Sequence, residues 1–295
     1  MNLLIVTYAI NGLLMILMPI GLGIFLARRF KLGWRLFWIG AATFVLSQVG
    51  HIPFNAGATL LLNRSGMVYW PPAAQAIFNA VFLGLSAGLW EEGMRYIVLR
   101  WWAREARSWG KGMLVGNGHG GMEAMRLGFI FLLNYVFLLV GRTAGGLQSL
   151  VNARLVAVND VGTMSQQIAA FWSVPWYSSL LGAVERLFTI PCHIAMALMV
   201  MQVFTRKNIG WLFAAIGYHA LLDGLAVTLT QQHVSAYGIE ALVGGFAILS
   251  VVIIFLLRRP EPPVDLEPAP VPAASVPAIK PVEESQENLD GTRFQ

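Results

Sequence analysis

Seven long apolar segments, separated by more polar ones, dominate the chain. They cover about 3–27, 36–55, 73–99, 119–140, 176–204, 209–230 and 237–257. A helix needs roughly 20 apolar residues to cross the hydrocarbon of a bilayer, and each segment reaches that length. The composition agrees, because 57% of the residues are hydrophobic and only 12% are charged. We therefore predict an all-α membrane protein with a bundle of seven transmembrane helices.

The basic residues predict how this bundle is oriented. Short cytoplasmic loops collect Lys and Arg, and such residues follow the first, third, fifth and seventh segments. They are Arg28, Arg29, Lys31 and Arg35, then Arg100, Arg104, Arg107 and Lys111, then Arg206 and Lys207, and finally Arg258 and Arg259. The opposite side holds only Arg64, Arg142 and Arg154. The N-terminus is thus expected outside and the C-terminus in the cytosol. The net charge of +5 then reflects this topology and gives no reason to expect nucleic-acid binding.

Composition changes abruptly near the C-terminus and predicts two regions. Residues 1–259 form the seven-helix domain, whereas residues 260–295 contain eight prolines and no apolar periodicity. Such a segment buries too little surface to offset its chain entropy, so a disordered cytosolic tail is expected. The first apolar segment lacks a basic n-region and a cleavage site, so it is expected to remain as a helix. A partial interfacial helix is expected in the outer segment 142–175. The chain has a single cysteine, Cys192, which excludes an internal disulfide.

Two adjacent acids, Glu91 and Glu92, interrupt the third apolar segment, and Arg95 follows them. A charge at the centre of a membrane helix costs about 2.5–3.5 kcal/mol, so such residues face the protein interior and mark function. At 1.5 Å per residue the two acids lie roughly 15 Å from the cytosolic end of their helix. His193 and His219 are expected at the same depth in the fifth and sixth helices.

Helical spacing brings further polar residues to the same faces. His219 and Asp223 are four residues apart, as are Glu91 and Arg95, and Arg186 lies seven before His193. His119, Glu123 and Arg126 follow the same spacing near the expected cytosolic start of the fourth helix, where glycines 116, 118, 120 and 121 allow a bend. A structural and a catalytic role for His119 and Glu123 are both open. The sequence thus predicts one polar cavity inside the bundle.

The chemistry expected of such a cavity is hydrolysis of a peptide bond. A buried carboxylate beside a second one suits a general base that activates water, with Arg95 keeping one of the pair ionised. His193 would orient the water or move its proton. His219, held by Asp223, would donate to the oxyanion of a tetrahedral intermediate.

These residues resemble the ordered motifs of a known family. The pattern is Glu91-Glu92-x-x-Arg95, Gly116-x-Gly118-x-x-x-x-Glu123, Arg186 with Pro191-x-His193, and His219-x-x-x-Asp223. It resembles the PrsW-type and YhfC-type glutamic intramembrane proteases, which are related to the CAAX prenyl endopeptidase and bacteriocin-processing superfamily. The likeness spans about 71–230, and the early segment Gly50-His51-Ile-Pro53-Phe-Asn55 favours the YhfC branch.

The resemblance implies a site and a setting. Glu91 would be the base, His193 its partner, and His219 with Asp223 the oxyanion side. Substrates would be membrane proteins or peptides in a bacterial plasma membrane. The spacing between the glutamates and Arg95 departs from that of CAAX enzymes, so their substrate class is not carried over.

Several alternatives remain open from the sequence. Histidines and glutamates at one level could also hold zinc, although the His-Glu-x-x-His pattern is absent, and a cofactor-free mechanism is preferred. A noncatalytic seven-helix scaffold of a membrane complex and a proton-coupled transporter are the other function classes. The substrate, the cleaved bond and the oligomeric state are left open.

Overall fold

The computed structural model describes residues 3–258 and is built of helices. The α-helices in this part are α1 (Leu3–Phe30), α2 (Arg35–Arg64), α3 (Pro72–Ile97), α4 (Trp109–Arg142), α5 (Gly146–Asn152), α6 (Val161–Phe171), α7 (Leu181–Thr205), α8 (Gly210–Gln231) and α9 (Ala236–Leu256). Seven helical segments, containing α1 to α4 and α7 to α9, are long and apolar enough to cross a membrane. The predicted seven-helix bundle is confirmed. The predicted tail, 260–295, lies outside the described residues.

Helix α4 begins earlier than the sequence pattern indicated. It starts at Trp109 and not near residue 119, so His119 lies well inside the helix and not at a cytosolic surface. The glycines that suggested a bend instead allow close packing of two helices. A Cβ atom on Gly118 would overlap the carbonyl oxygen of Phe37, and one on Gly40 would overlap that of Val115. Small residues at such contacts let membrane helices approach closely.

Two other boundaries also differ from expectation. Helix α2 continues to Arg64 through Pro53, because a proline inside a membrane helix is tolerated when neighbours satisfy the backbone. The outer segment contains two short helices, α5 and α6, where one partial helix was expected. Phe171 at the end of α6 stacks on Tyr8 of α1 at 4.0 Å between ring centroids. The Tyr8 hydroxyl donates to the carbonyl of Phe171 over 2.6 Å.

Packing places α4 and α7 in the interior of the bundle. Helix α4 packs against α1, α2 and α7, whereas α3 runs along α8 and α7 runs along α9. Helix α7 is the most buried membrane-spanning helix, and residues 192–203 are buried without interruption. The polar side chains of α3, α4, α7 and α8 therefore meet in the middle of the protein.

Candidate active site

Glu91 lies at the centre of the buried polar residues. Its Oε2 atom is 2.9 Å from Nε2 of His119 on α4. Its Oε1 atom accepts a hydrogen bond of 3.0 Å from the side-chain amide of Gln48 on α2. Nε2 of His219 and Nη2 of Arg95 are 3.9 and 4.0 Å from Oε2. Groups from four helices therefore fix this one carboxylate.

Glu92 and Arg95 form a fully buried ion pair on the same helix. Glu92 Oε1 also lies 2.9 Å from Nδ1 of His219. Arg95 extends to α7, where its Nη2 donates to Nδ1 of His193 over 2.7 Å. A guanidinium can only donate, so Nδ1 of His193 is an acceptor and its proton is on Nε2. Within residues 3–258, Glu92 Oε2 and Arg95 Nε have no hydrogen-bond partner.

Glu123 joins His193 to a second arginine. Nε2 of His193 donates to Oε2 of Glu123 over 2.8 Å, and Arg186 donates to the other oxygen over 2.8 Å. Arg186 also pairs with Glu185 on its own helix. The carboxylates compensate the arginine charge, as a buried ion requires. The result is a continuous network from α3 through α7 to α4.

A cavity of about 130 Å³ opens beside this network. Among its lining residues are Glu91, Glu123, His193, His219 and Asp223. Asp223 Oδ2 lies 3.5 Å from Nε2 of His219, and its side chain is 40% exposed. Polar walls and an exposed acid make the cavity suitable for water. The cavity therefore borders the carboxylate of Glu91, which is otherwise buried.

Comparison with known proteins shows which family the chain belongs to. Residues 14–244 match the family model described as "YhfC intramembrane metalloprotease". The chain belongs to this family. The YhfC relatives include "Uncharacterized membrane protein YhfC" of Bacillus subtilis (strain 168), 28% identical over 266 residues, or 86% of this chain and 96% of the relative. No solved structure is significantly similar to the chain. The predicted resemblance to the YhfC branch is confirmed, and the chain is a multi-pass membrane protein.

The YhfC description implies a metal, and three residues of the site fit one. Glu91, His119 and His193 are buried, and each offers one ligand atom within 4.8 Å of the others. Two imidazoles and one carboxylate are a donor set of catalytic zinc sites, which keep a fourth position for water. His193 would have to give up its bond to Arg95 or to Glu123 in order to bind a metal.

All seven residues predicted from the sequence lie in or beside this network. Glu91, Glu92, Arg95, Glu123, His193, His219 and Asp223 come together as expected. Glu92 and Arg95 lie behind the cavity and not on its wall. Arg126, which shares the helical spacing of His119 and Glu123, has its guanidinium carbon 5.6 Å from the ring centroid of Phe44.

The sequence pattern does not indicate two partners of the central acid, His119 and Gln48, or the partner of His119, which is Thr43. It places His119 near the surface and outside the predicted site. It gives no role to Gln48 and Thr43 on α2, which contact Glu91 and His119 respectively. The sequence signal for Gln48 and Thr43 is a polar residue inside an apolar segment. This signal is weak for the amide of Gln48 and weaker for the hydroxyl of Thr43.

Proposed function

We propose that the chain is an intramembrane endopeptidase that hydrolyses peptide bonds of membrane proteins or peptides. Glu91 is the general base that activates the attacking water. The observation that supports this role is the position of Glu91, which is buried and held by His119 and Gln48 yet lines a polar cavity. A fixed carboxylate beside a water-accessible space has what a general base needs.

The other residues have roles that follow from their contacts. The water adds to the carbonyl carbon while its proton passes to Glu91, which later delivers a proton to the leaving amine. His219 is held at Nδ1 by Glu92, so its Nε2 faces the cavity. When protonated there, His219 donates to the oxyanion of the tetrahedral intermediate. Glu123 and Arg95 hold His193 from both ring nitrogens and fix its orientation at the cavity wall.

A metal-dependent form of the same hydrolysis is the second candidate. It is favoured by the grouping of Glu91, His119 and His193 and by the description of the family. A divalent metal held by these three residues would polarise the peptide carbonyl and acidify a bound water. Glu92 would then still hold His219, and Thr43 would still hold His119.

The test is proteolysis by purified protein in liposomes, with a panel of labelled single-span membrane proteins as substrates. Glu91→Gln removes the base and keeps the size of the side chain. We expect it to lower the cleavage rate by at least about 100-fold, the usual contribution of a general base. Glu105→Gln is the control, because Glu105 pairs with Arg35 at an exposed site outside this network. Equal rates for wild type and Glu91→Gln would overturn the proposal.

Chelation and metal analysis separate the two candidates. The metal-free mechanism predicts full activity after treatment with a chelator and no stoichiometric zinc in the active protein. Activity that is lost with the chelator and restored by zinc would establish the metal-dependent form. Absence of cleavage of any substrate, combined with partner proteins that co-purify, would support the scaffold, and a proton or solute flux would support a transporter.

A further inference from the structure

A buried hydroxyl on α2 contacts the histidine that faces Glu91. Thr43 is fully buried, and its Oγ1 lies 2.7 Å from Nδ1 of His119. The same hydroxyl donates to the carbonyl oxygen of Gly40, one turn earlier, over 2.6 Å. A threonine hydroxyl has one hydrogen and can accept as well as donate. Its single hydrogen cannot serve both neighbours.

These contacts bear on which nitrogen of His119 carries the proton. A carbonyl oxygen can only accept, so the Gly40 contact uses the hydroxyl hydrogen, Oγ1 is left as an acceptor, and Nδ1 of His119 is the donor to it. We propose that Thr43 is a positioning residue that fixes His119 in the Nδ1–H form. The lone pair of Nε2 is then directed at the carboxylate of Glu91. The hydrogen bond on one ring nitrogen sets the state of the other in this way at many histidine sites.

The consequence concerns the short distance between His119 and Glu91. Nε2 and Oε2 are 2.9 Å apart, and both are acceptors in this form. Two acceptors at this distance require a proton or a cation between them. Given the proposed function, Nε2 of His119 accepts a hydrogen bond from Glu91 once that carboxyl has taken the proton of the attacking water. In the metal-dependent form, the same lone pair would be a ligand atom, so Thr43 serves both candidates.

The packing around His119 supports a fixed ring. Phe44, one residue after Thr43, meets the His119 ring edge to face at 5.5 Å between centroids. Gly40 and Gly118, which precede Thr43 and His119 in their helices, bring the backbones of α2 and α4 close together. Thr43 and His119 are therefore held at hydrogen-bonding distance by the helices that carry them.

The test is ¹⁵N NMR of the full-length protein labelled at histidine, because the ¹⁵N shift distinguishes protonated from unprotonated ring nitrogens. The chain has only five histidines, and a His119→Asn spectrum assigns the signal of interest. We expect a protonated Nδ1 in the wild type. Thr43→Val removes the acceptor and should move the Nδ1 signal toward the unprotonated range, whereas Thr43→Ser should restore it. Ser47→Ala is the matched control, since within residues 3–258 the side chain of Ser47 is hydrogen-bonded to Phe44 and Gln48 of its own helix.

Two results would overturn the inference. One is a wild-type spectrum in which the signal assigned to His119 shows an unprotonated Nδ1. The other is an unchanged Nδ1 signal in folded Thr43→Val protein. Either outcome is independent of the effect of Glu91→Gln on proteolysis, so failure of this inference is distinguishable from failure of the proposed function.

Discussion

At the scale of single residues, the pair Glu92–Arg95 is expected to contribute strongly to stability. Both side chains are fully buried, and Glu92 also holds His219. Glu92→Gln would leave the Arg95 charge without its closest partner, a change that costs about 3–5 kcal/mol at buried pairs. Unfolding in detergent, followed by circular dichroism, measures this loss. Glu105→Gln breaks an exposed pair with Arg35 and should cost about 0–1 kcal/mol. Equal losses in the two variants would contradict the assignment.

The difference between a buried charge and a buried hydroxyl explains which site residues the sequence could indicate. Glu91 and Glu92 are conspicuous because a charge inside an apolar segment is costly and needs a reason. Thr43 gives no such signal, since a hydroxyl can bond to the backbone of its own helix and remain in an apolar environment. Its contact with His119 depends on how closely α2 and α4 approach, which the order of residues along either helix does not reveal.

At the scale of helices, the glycines of α4 determine how closely α2 and α4 approach each other. Gly118 faces the backbone of Phe37, so Gly118→Ala should force α2 away from α4 and separate Thr43 from His119. We expect lower thermal stability and a perturbed His119 signal in the ¹⁵N spectrum. Gly217→Ala on α8 is the control, because a Cβ atom there meets nothing within 4 Å. It should be neutral or stabilising by about 0.5–1 kcal/mol, since alanine favours a helix. A Gly118→Ala protein as stable as the control would refute this role of the glycine.

Hydrophobic patterning predicted the seven membrane helices well and their ends less well. Length and apolar character are properties of one segment, so the existence of each helix could be read from the sequence. The start of α4 at Trp109 could not, because the glycines before His119 suggest a bend when the partner helix is unknown. Packing against α2 and α7 turns those residues into an interface.

At the scale of the whole molecule, the basic loops predict orientation, and this prediction is testable with two single-cysteine substitutions. Gly33 and Ser65 are exposed at opposite ends of α2. Basic residues 28, 29, 31 and 35 surround Gly33, so its loop is expected in the cytosol. A membrane-impermeant maleimide added to intact cells should label Ser65→Cys and leave Gly33→Cys unlabelled until the membrane is permeabilised. The native chain is the control, because its single cysteine, Cys192, is fully buried. The reverse labelling pattern would show the opposite topology. Asp223, the exposed acid at the cavity, would then lie in the cytosolic half of the bundle.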